Sequence, residues 1–396
     1  MNRNLWLLAI CQGLFLTHNV ALIAINGLVG LSLAPKAWMA TLPVMAYVVG
    51  GALSTGLVAR SQRHFGRRGS FQLGLGVACC SALLCSFAAS SHNFWLLTSA
   101  TLIAGFYSAN ASLYRFAAAE LAAPPWREKA VSLVMAGGLI GAVGGPNLAV
   151  MTRGLFDVPF VGAYLALAVI ALMSMALLAA IDFPPALTQQ QAAGGRPLGE
   201  ILRQPVFIVA AAAGSLGYGV MNLLMAATPL AMQVCSLPFA DIALVLEWHV
   251  IGMFAPGFFT GHLIRRFGAI PVMAVGLLLN LGCIVVALSG VELQQFLVAL
   301  ALLGVGWNYL FTGATTLSLT AYAPEERDRA QGALNFCMFA TLGVTSFASG
   351  VLVTTQGWRW LNVGSLLPVA LTAAALLWLA VHQRRVAATA SATTAT

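Results

Sequence analysis

The sequence predicts an all-α membrane protein with twelve transmembrane helices in two six-helix bundles. Hydrophobic residues make up 60% of the 396 residues and charged residues only 8%, whereas a soluble domain carries about 25% charged residues. Twelve apolar stretches are long enough to cross a hydrocarbon core of about 30 Å at about 1.5 Å per residue. A polar segment divides these stretches six and six. A soluble globular fold is therefore excluded.

The predicted spans follow one another along the chain with short polar turns between them. The first apolar run continues to about residue 31, which is too long for the core of a signal peptide, so it is expected to be the first span. The approximate bounds are 5–31, 37–59, 70–90, 94–122, 130–152, 158–181, 205–232, 239–264, 270–290, 294–322, 330–354 and 358–382.

Basic residues are concentrated on one predicted side of the membrane. With a cytoplasmic N-terminus, fifteen of the 19 Lys and Arg residues face the cytoplasm, three face the outside, and Arg115 lies within a span. Because cytoplasmic loops carry the excess of Lys and Arg, both termini are expected to be cytoplasmic. The net charge of +8 is then a topology signal, and no nucleic-acid partner is expected.

The domain organisation follows from the longest polar connection. We expect an N-terminal bundle over residues 1–181, a cytoplasmic linker over 182–204, a C-terminal bundle over 205–385 and a disordered tail over 386–396. The linker contains a triple glutamine and a glycine pair and lacks an apolar pattern.

The two halves contain matching loops. The basic segment that ends at Gly66 after the second span is echoed by the segment that ends at Gly268 after the eighth. Residues 125–130 after the fourth span likewise match residues 324–330 after the tenth. A repeat of about 200 residues indicates duplicated six-helix bundles.

These loops resemble the loop motif Gly-x-Leu-x-Asp-Arg-x-Gly-Arg-Arg of the major facilitator superfamily. Residues 261–268 and the Gly-Arg-Arg at 66–68 match it, although Arg63 and Arg265 stand at the acidic position. Residues 141–146 match the antiporter motif only in part, so antiport is not inferred. The resemblance covers the whole chain and implies the major facilitator fold, a carrier whose halves rock about a midplane site.

Spans seven and eight contain two pairs of metal-ligand residues. Met221 and Met225, and likewise His249 and Met253, are four residues apart and so share a helical face. Thioether and imidazole groups suit a soft ion such as Cu(I). Counted from the helix ends, Met221 and His249 lie at the same depth, roughly 15 Å. The pattern predicts a metal site at these four residues, arranged either as a ladder or as one compact site.

The two motifs, at this spacing, resemble those of the CcoA-type copper importers within the superfamily. The resemblance implies import of copper across a bacterial inner membrane by alternating access, for the assembly of a cbb3-type cytochrome oxidase. Copper would then be the substrate, with no permanently bound cofactor. We further expect a monomer whose only other partner is the lipid bilayer.

Other polar residues within the spans extend this hypothesis. His18 and Cys235 are candidates for an additional part of the substrate path, and Glu247 is a candidate for proton coupling. Arg115 is expected to have a structural role, by reaching the membrane boundary or by pairing with Glu120.

The sequence is also compatible with two alternative functions. The first is a transporter of an organic solute or drug, with or without proton coupling, in which the Met and His residues are packing groups. The second is a membrane copper sensor or chaperone that does not translocate the ion. An enzyme is not predicted, because the loops contain no nucleophile–base pair, phosphate loop or catalytic metal cluster.

Overall fold

A computed structural model describes residues 3–36, 39, 42–184 and 195–394. The described chain consists of helices joined by short turns. In chain order the helices are α1 (Arg3–Leu33), α2 (Leu42–Ser90), α3 (Phe94–Ala111), α4 (Tyr114–Leu121), α5 (Arg127–Ala136), α6 (Gly138–Thr152), α7 (Val161–Ala179), α8 (Leu198–Leu202), α9 (Pro205–Val234), α10 (Phe239–Phe254), α11 (Gly257–Phe267), α12 (Ala269–Ser289), α13 (Leu293–Ser318), α14 (Arg327–Thr355), α15 (Gly357–Gly364) and α16 (Leu366–Thr394).

Each of the twelve predicted spans coincides with one helix, one arm of a helix or a consecutive pair of helices. By length and composition, nine helical segments of the described residues qualify individually as membrane spans. The eighth predicted span is divided between α10 and α11, which are separated by Ala255 and Pro256. Proline lacks a backbone N–H and interrupts a helix. The chain is therefore an all-helical, multi-pass membrane protein.

The matching glycines of the two halves adopt the same unusual backbone conformation. Gly66, within α2, has φ 68° and ψ −177°, and Gly268, between α11 and α12, has φ 88° and ψ 163°. Residues with a Cβ atom avoid this region of φ and ψ, so each turn requires glycine. At Gly66 the chain passes directly from the second span into the third.

A second pair of turns also matches between the halves. The 3₁₀ turn Pro124–Trp126 precedes α5, and the 3₁₀ turn Pro324–Glu326 precedes α14. Proline is favoured in the first turn of a helix, because N–H groups there have no partner within the helix and the missing N–H costs no hydrogen bond. The sequence repeat therefore corresponds to a structural repeat at two positions in each half.

The chain forms two compact units. Unit 1 comprises Met1–Gly195, Phe254–Gly261 and Pro324–Gly343, and unit 2 comprises Arg196–Met253, His262–Ala323 and Val344–Thr396. Residues 185–194 of the predicted linker lie outside the described residues, and the predicted bundle boundaries stay a prediction. The predicted tail 386–396 is helical as far as Thr394, because alanine, its main component, has the highest helix propensity.

Small residues bring the helices of each unit close together. In unit 1, a Cβ atom on Gly105 of α3 would lie 2.3 Å from the Gly51 nitrogen of α2. In unit 2, a Cβ atom on Gly306 of α13 would lie 2.9 Å from the Gly276 carbonyl oxygen of α12. Because no hydrophobic force drives helices together in lipid, close packing of this kind stabilises their association.

A buried charge cluster lies at the α2 turn of unit 1. The Arg67 side chain is 1% exposed. Its guanidinium donates to both carboxylate oxygens of Glu120 at 3.0 and 2.6 Å, and to the amide oxygens of Gln62 at 3.2 Å and Gln331 at 2.6 Å. Arg327 approaches the same carboxylate at 3.2 Å. The cluster joins α2, α4 and α14. It forms although arginine, at position 63, stands where the superfamily motif has an acidic loop residue.

Candidate functional site

Helix α9 presents a partly uncovered aromatic and polar stripe in unit 2. Tyr218, Asn222 and Met225 are all half-buried, and their spacing of four and three residues places them on one side of the helix. Beside them, Met221 is only 2% exposed and Leu224 is fully buried. Tyr218, Asn222 and Met225 are called the α9 face.

Hydrogen bonds to α14 hold the centre of the α9 face. The Asn222 amide nitrogen donates to the Thr345 hydroxyl at 3.1 Å and to the Ser346 hydroxyl at 2.9 Å. The three side chains fix one another and leave the Asn222 carbonyl oxygen as an acceptor. A bound molecule would therefore meet a cluster of amide and hydroxyl groups.

An aromatic cluster on α13 packs against Tyr218. Its ring centroid lies 5.4 Å from those of Trp307 and Phe311 on α13, and the latter two rings stack at 4.7 Å with 17° between their planes. Trp307 and Phe311 are 2% and 4% exposed. Because they are packed, they hold the Tyr218 ring in place as a surface for stacking.

The α9 face combines three kinds of uncharged group. Tyr218 provides an aromatic surface, Asn222 provides polar hydrogen-bonding atoms and Met225 provides a polarisable thioether that contacts aromatic rings favourably. Such a face suits an uncharged molecule that has both an aromatic part and hydrogen-bonding groups.

His249, a predicted metal ligand, lies buried where α10 crosses α13. Its side chain is 0% exposed, and its Nδ1 lies 2.8 Å from the Leu300 carbonyl oxygen. Because a carbonyl oxygen only accepts, Nδ1 carries the proton. The buried Nε2 has no hydrogen-bond partner within the described chain. A Cβ atom on Gly304 would lie 2.3 Å from the His249 carbonyl oxygen, so the crossing is tight.

The other three predicted ligands are placed differently from one another. Met253 is 7% exposed, and its carbonyl oxygen accepts from the Asn308 amide at 2.7 Å. Met221 is buried and Met225 half-buried. No three His, Cys, Asp or Glu side chains come together around a metal position in the part of the chain that the structure describes. Metal binding at the four Met and His residues stays a prediction of the sequence.

The remaining predicted residues lie in separate places. His18 is 1% exposed, its ring lies edge-on to Tyr107 at 5.3 Å, and neither ring nitrogen has a hydrogen-bond partner among the described residues. Cys235 is half-buried just beyond α9, and Glu247 is exposed on α10. Their predicted roles are not tested by these positions.

Arg115 does not pair with Glu120 as expected. Its guanidinium donates to the Asn335 amide oxygen at 2.8 Å and lies 4.7 Å from the Phe116 ring centre, whereas Glu120 pairs with Arg67 and Arg327. The α2 turn brings Arg67 to the carboxylate, and no local spacing rule within α4 reveals this partner.

The family assignment comes from comparison with known proteins. A family model of the Major Facilitator Superfamily matches residues 5–256 and 216–395. The chain belongs to the Major Facilitator Superfamily. It is accordingly a membrane transporter and not an enzyme.

This superfamily member is similar over nearly its whole length to one transporter with a named substrate. The riboflavin transporter RfnT of Brucella anthropi is 39% identical over 363 residues, which cover 91% of each chain.

Two solved structures show the same fold. A bacterial homologue of the iron transporter ferroportin in an outward-facing state has a TM-score of 0.74 at 16% identity, covering 95% of this chain and 99% of the other. FucP in the outward conformation has a TM-score of 0.75 at 15% identity, covering 94% and 97%.

The prediction of copper import is wrong. The relative at 39% identity is a transporter of an organic solute. The predicted role in supplying a cbb3-type cytochrome oxidase depended on copper import and is withdrawn with it. Ligand-type residues at helical spacing also arise from packing, since Met221 fills the interior of unit 2 and the His249 ring bonds a backbone carbonyl. The similarity to a riboflavin transporter favours the alternative, a transporter of an organic solute.

The sequence motifs do not indicate the residues of the α9 face other than Met225. The available signal was Tyr218 and Asn222 four residues apart within an apolar span, where polar groups require partners. Thr345 and Ser346 carried no such signal, because they meet Asn222 only through the packing of α14 on α9.

Proposed function

We propose that this transporter carries riboflavin, or a flavin closely similar to it, across the membrane. The observation that supports this proposal most strongly is the identity of 39% to a riboflavin transporter over 91% of both chains. Identity at this level and coverage extends through both units and includes the helices that carry the α9 face.

The chemistry of the α9 face fits riboflavin. The flavin ring system is planar, aromatic and neutral, and one of its edges carries alternating hydrogen-bond donors and acceptors. Tyr218 would stack on the ring, the Asn222 carbonyl oxygen would accept from the ring edge, and Thr345 and Ser346 would bond the hydroxyls of the ribityl chain. A neutral ligand needs no buried counter-charge, and none of these residues is charged.

The predicted metal-ligand residues take other roles under this proposal. Met225 would contact the flavin ring through its thioether. His249 and Met253 would hold α10 against α13, since both contact that helix through hydrogen bonds. His18 and Cys235 as path residues, and Glu247 as a proton-coupling residue, stay predictions.

The membrane orientation is part of the same proposal. Fifteen basic residues on one predicted side against three on the other support cytoplasmic termini. The protein would then lie in the inner membrane of a bacterium with its α2 turn and the Pro124 and Pro324 turns at the cytoplasmic surface.

An uptake experiment tests the proposal. The chain is expressed in bacteria that cannot make riboflavin, and accumulation of radiolabelled riboflavin is measured at several concentrations. We expect saturable uptake that excess unlabelled riboflavin abolishes and that copper does not affect. Expression at normal levels with no riboflavin uptake would refute the proposed substrate.

Matched variants locate the site. Asn222→Leu should raise the KM about tenfold, because an unpaired polar edge of the bound ring costs roughly 1–3 kcal/mol. Its control is Asn147→Leu, since Asn147 is exposed and bonds the Val143 carbonyl of its own helix. Tyr218→Leu is paired with Trp248→Leu, an aromatic that is 48% exposed on α10. Equal effects within each pair would exclude the α9 face as the flavin site.

A further inference from the structure

A groove in unit 1 has an apolar wall and a basic rim. It encloses about 450 Å³ between the two arms of α2 and α3, beside the Gly66 turn. It is called the α2 groove here, and the lining residues that matter are Leu57, Arg60, His64, Phe65, Leu73 and Phe106.

The apolar wall of the α2 groove is uncovered. Leu57 is 61% exposed, Phe65 56% and Leu73 44%. Residues of this kind on the outside of a membrane-spanning helix face lipid chains, so the groove opens into the hydrocarbon region.

The basic rim begins one helical turn from the apolar wall. Leu53 and Leu57 are exposed on the same side of α2 as Arg60 and His64, which are also exposed. The outward side of the helix thus changes from apolar to basic over about 5 Å. That distance matches the transition from acyl chains to headgroups at a membrane surface.

The Arg60 charge on the rim is not neutralised by the protein. Arg60 and His64 form no salt bridge with a carboxylate of the described residues, and the neighbouring Arg63 is exposed. By contrast, Arg67 is buried against Glu120. Arginine stands at position 63, where the superfamily motif has an acid, and the residues that line the groove include no carboxylate.

We propose that the α2 groove binds an anionic phospholipid of the leaflet on the side of the basic loops. The phosphate would bond the Arg60 guanidinium and a ring N–H of His64, while one acyl chain would lie against Leu57, Leu73 and Phe106. Basic residues near the membrane surface attract anionic headgroups in this way. This site is separate from the α9 face and does not depend on the transported substrate.

A second groove shows why the basic rim decides the ligand. It encloses about 520 Å³ and is lined by apolar residues of α1, α5, α6 and α11, among them Trp6, Ile10, Ile140 and Phe258, and no charged residue lines it. That groove can take an acyl chain of any lipid, so it gives no preference between anionic and neutral headgroups.

The test is native mass spectrometry of the full-length purified protein titrated with phosphatidylglycerol or phosphatidylethanolamine. We expect one phosphatidylglycerol to bind more tightly than phosphatidylethanolamine. Arg60→Gln should weaken that binding about fivefold, the contribution of one surface arginine. Arg60→Lys should keep most of it. The control Arg384→Gln, which removes an exposed charge on the same predicted side, should leave it unchanged.

Each contrary outcome overturns the proposal. Equal binding of the two lipids would show that the headgroup charge is not recognised. An equal loss in Arg60→Gln and Arg384→Gln would show an effect of net charge alone. Displacement by inorganic phosphate at the concentration of the lipid would show a general anion site. Thermal melting of each variant shows whether the compared proteins are folded. If Arg60→Gln does not fold, His64→Ala gives the comparison, because it removes the other proposed phosphate contact and should also weaken phosphatidylglycerol binding.

Discussion

The Arg67 guanidinium donates to a Glu120 carboxylate oxygen at 2.6 Å in the interior of unit 1, with the Arg67 side chain fully buried. This pair connects the α2 turn to α4, and Arg327 adds α14 to it. A buried arginine is stable only where a carboxylate or several hydrogen bonds compensate for its lost hydration.

Removing the Glu120 charge should therefore destabilise the protein. Glu120→Gln leaves Arg67 buried without its counter-charge, which costs about 3 kcal/mol. We expect a clear fall in the Tm of the purified protein in detergent. Glu200→Gln, which removes an exposed carboxylate of α8, is the control, and similar Tm values for both variants would contradict a structural role for the pair.

The α2 turn should not tolerate a side chain at Gly66. Gly66→Ala places a Cβ atom at φ 68° and ψ −177°, a conformation that costs about 1–3 kcal/mol for residues other than glycine. Gly76→Ala, on the same helix with no atom near the added Cβ, should be neutral or slightly stabilising. Thermal unfolding measures both, and a Gly66→Ala variant as stable as Gly76→Ala would show that the turn differs from the structure.

The crossing of α10 and α13 should depend on Gly304. Gly304→Ala would place a Cβ atom 2.3 Å from the His249 carbonyl oxygen, and backbone atoms cannot move aside without separating the helices. We expect lower stability and altered transport kinetics. Gly343→Ala, where the added Cβ meets nothing within 4 Å, should change neither property. Normal stability of Gly304→Ala would contradict the close contact between α10 and α13.

Met221 should act as a packing residue. Met221→Leu conserves volume in a buried position, a change that usually costs less than about 1.5 kcal/mol. Riboflavin transport and cellular copper content should both equal those of the unsubstituted protein. Loss of transport with normal protein levels would show that the Met221 sulfur takes part in substrate binding.

The fold was predictable from the sequence because the bilayer imposes strong constraints. Length, hydropathy and basic loops predict the spans, and the Gly66 and Gly268 segments predict the repeat, since these turns need the same backbone conformation. The site was less predictable. The spacing of Met221, Met225, His249 and Met253 reports a shared helical side, but not whether that side meets substrate or another helix.

Long-range partners explain the remaining differences. Glu120 pairs with Arg67, which is 53 residues away, rather than with Arg115 in its own helix. Asn222 meets Thr345 and Ser346 more than 120 residues later. Periodicity within one helix contains no information about such contacts, because packing between helices decides them.

Riboflavin uptake by the purified protein in liposomes tests the proposed transport without any other cell component. Flavin fluorescence inside the vesicles is followed after riboflavin is added outside, with protein-free vesicles as the blank. We expect saturable uptake that Asn222→Leu weakens and Asn147→Leu leaves intact. Uptake no faster than in protein-free vesicles, from protein shown to be folded, would refute riboflavin as the substrate.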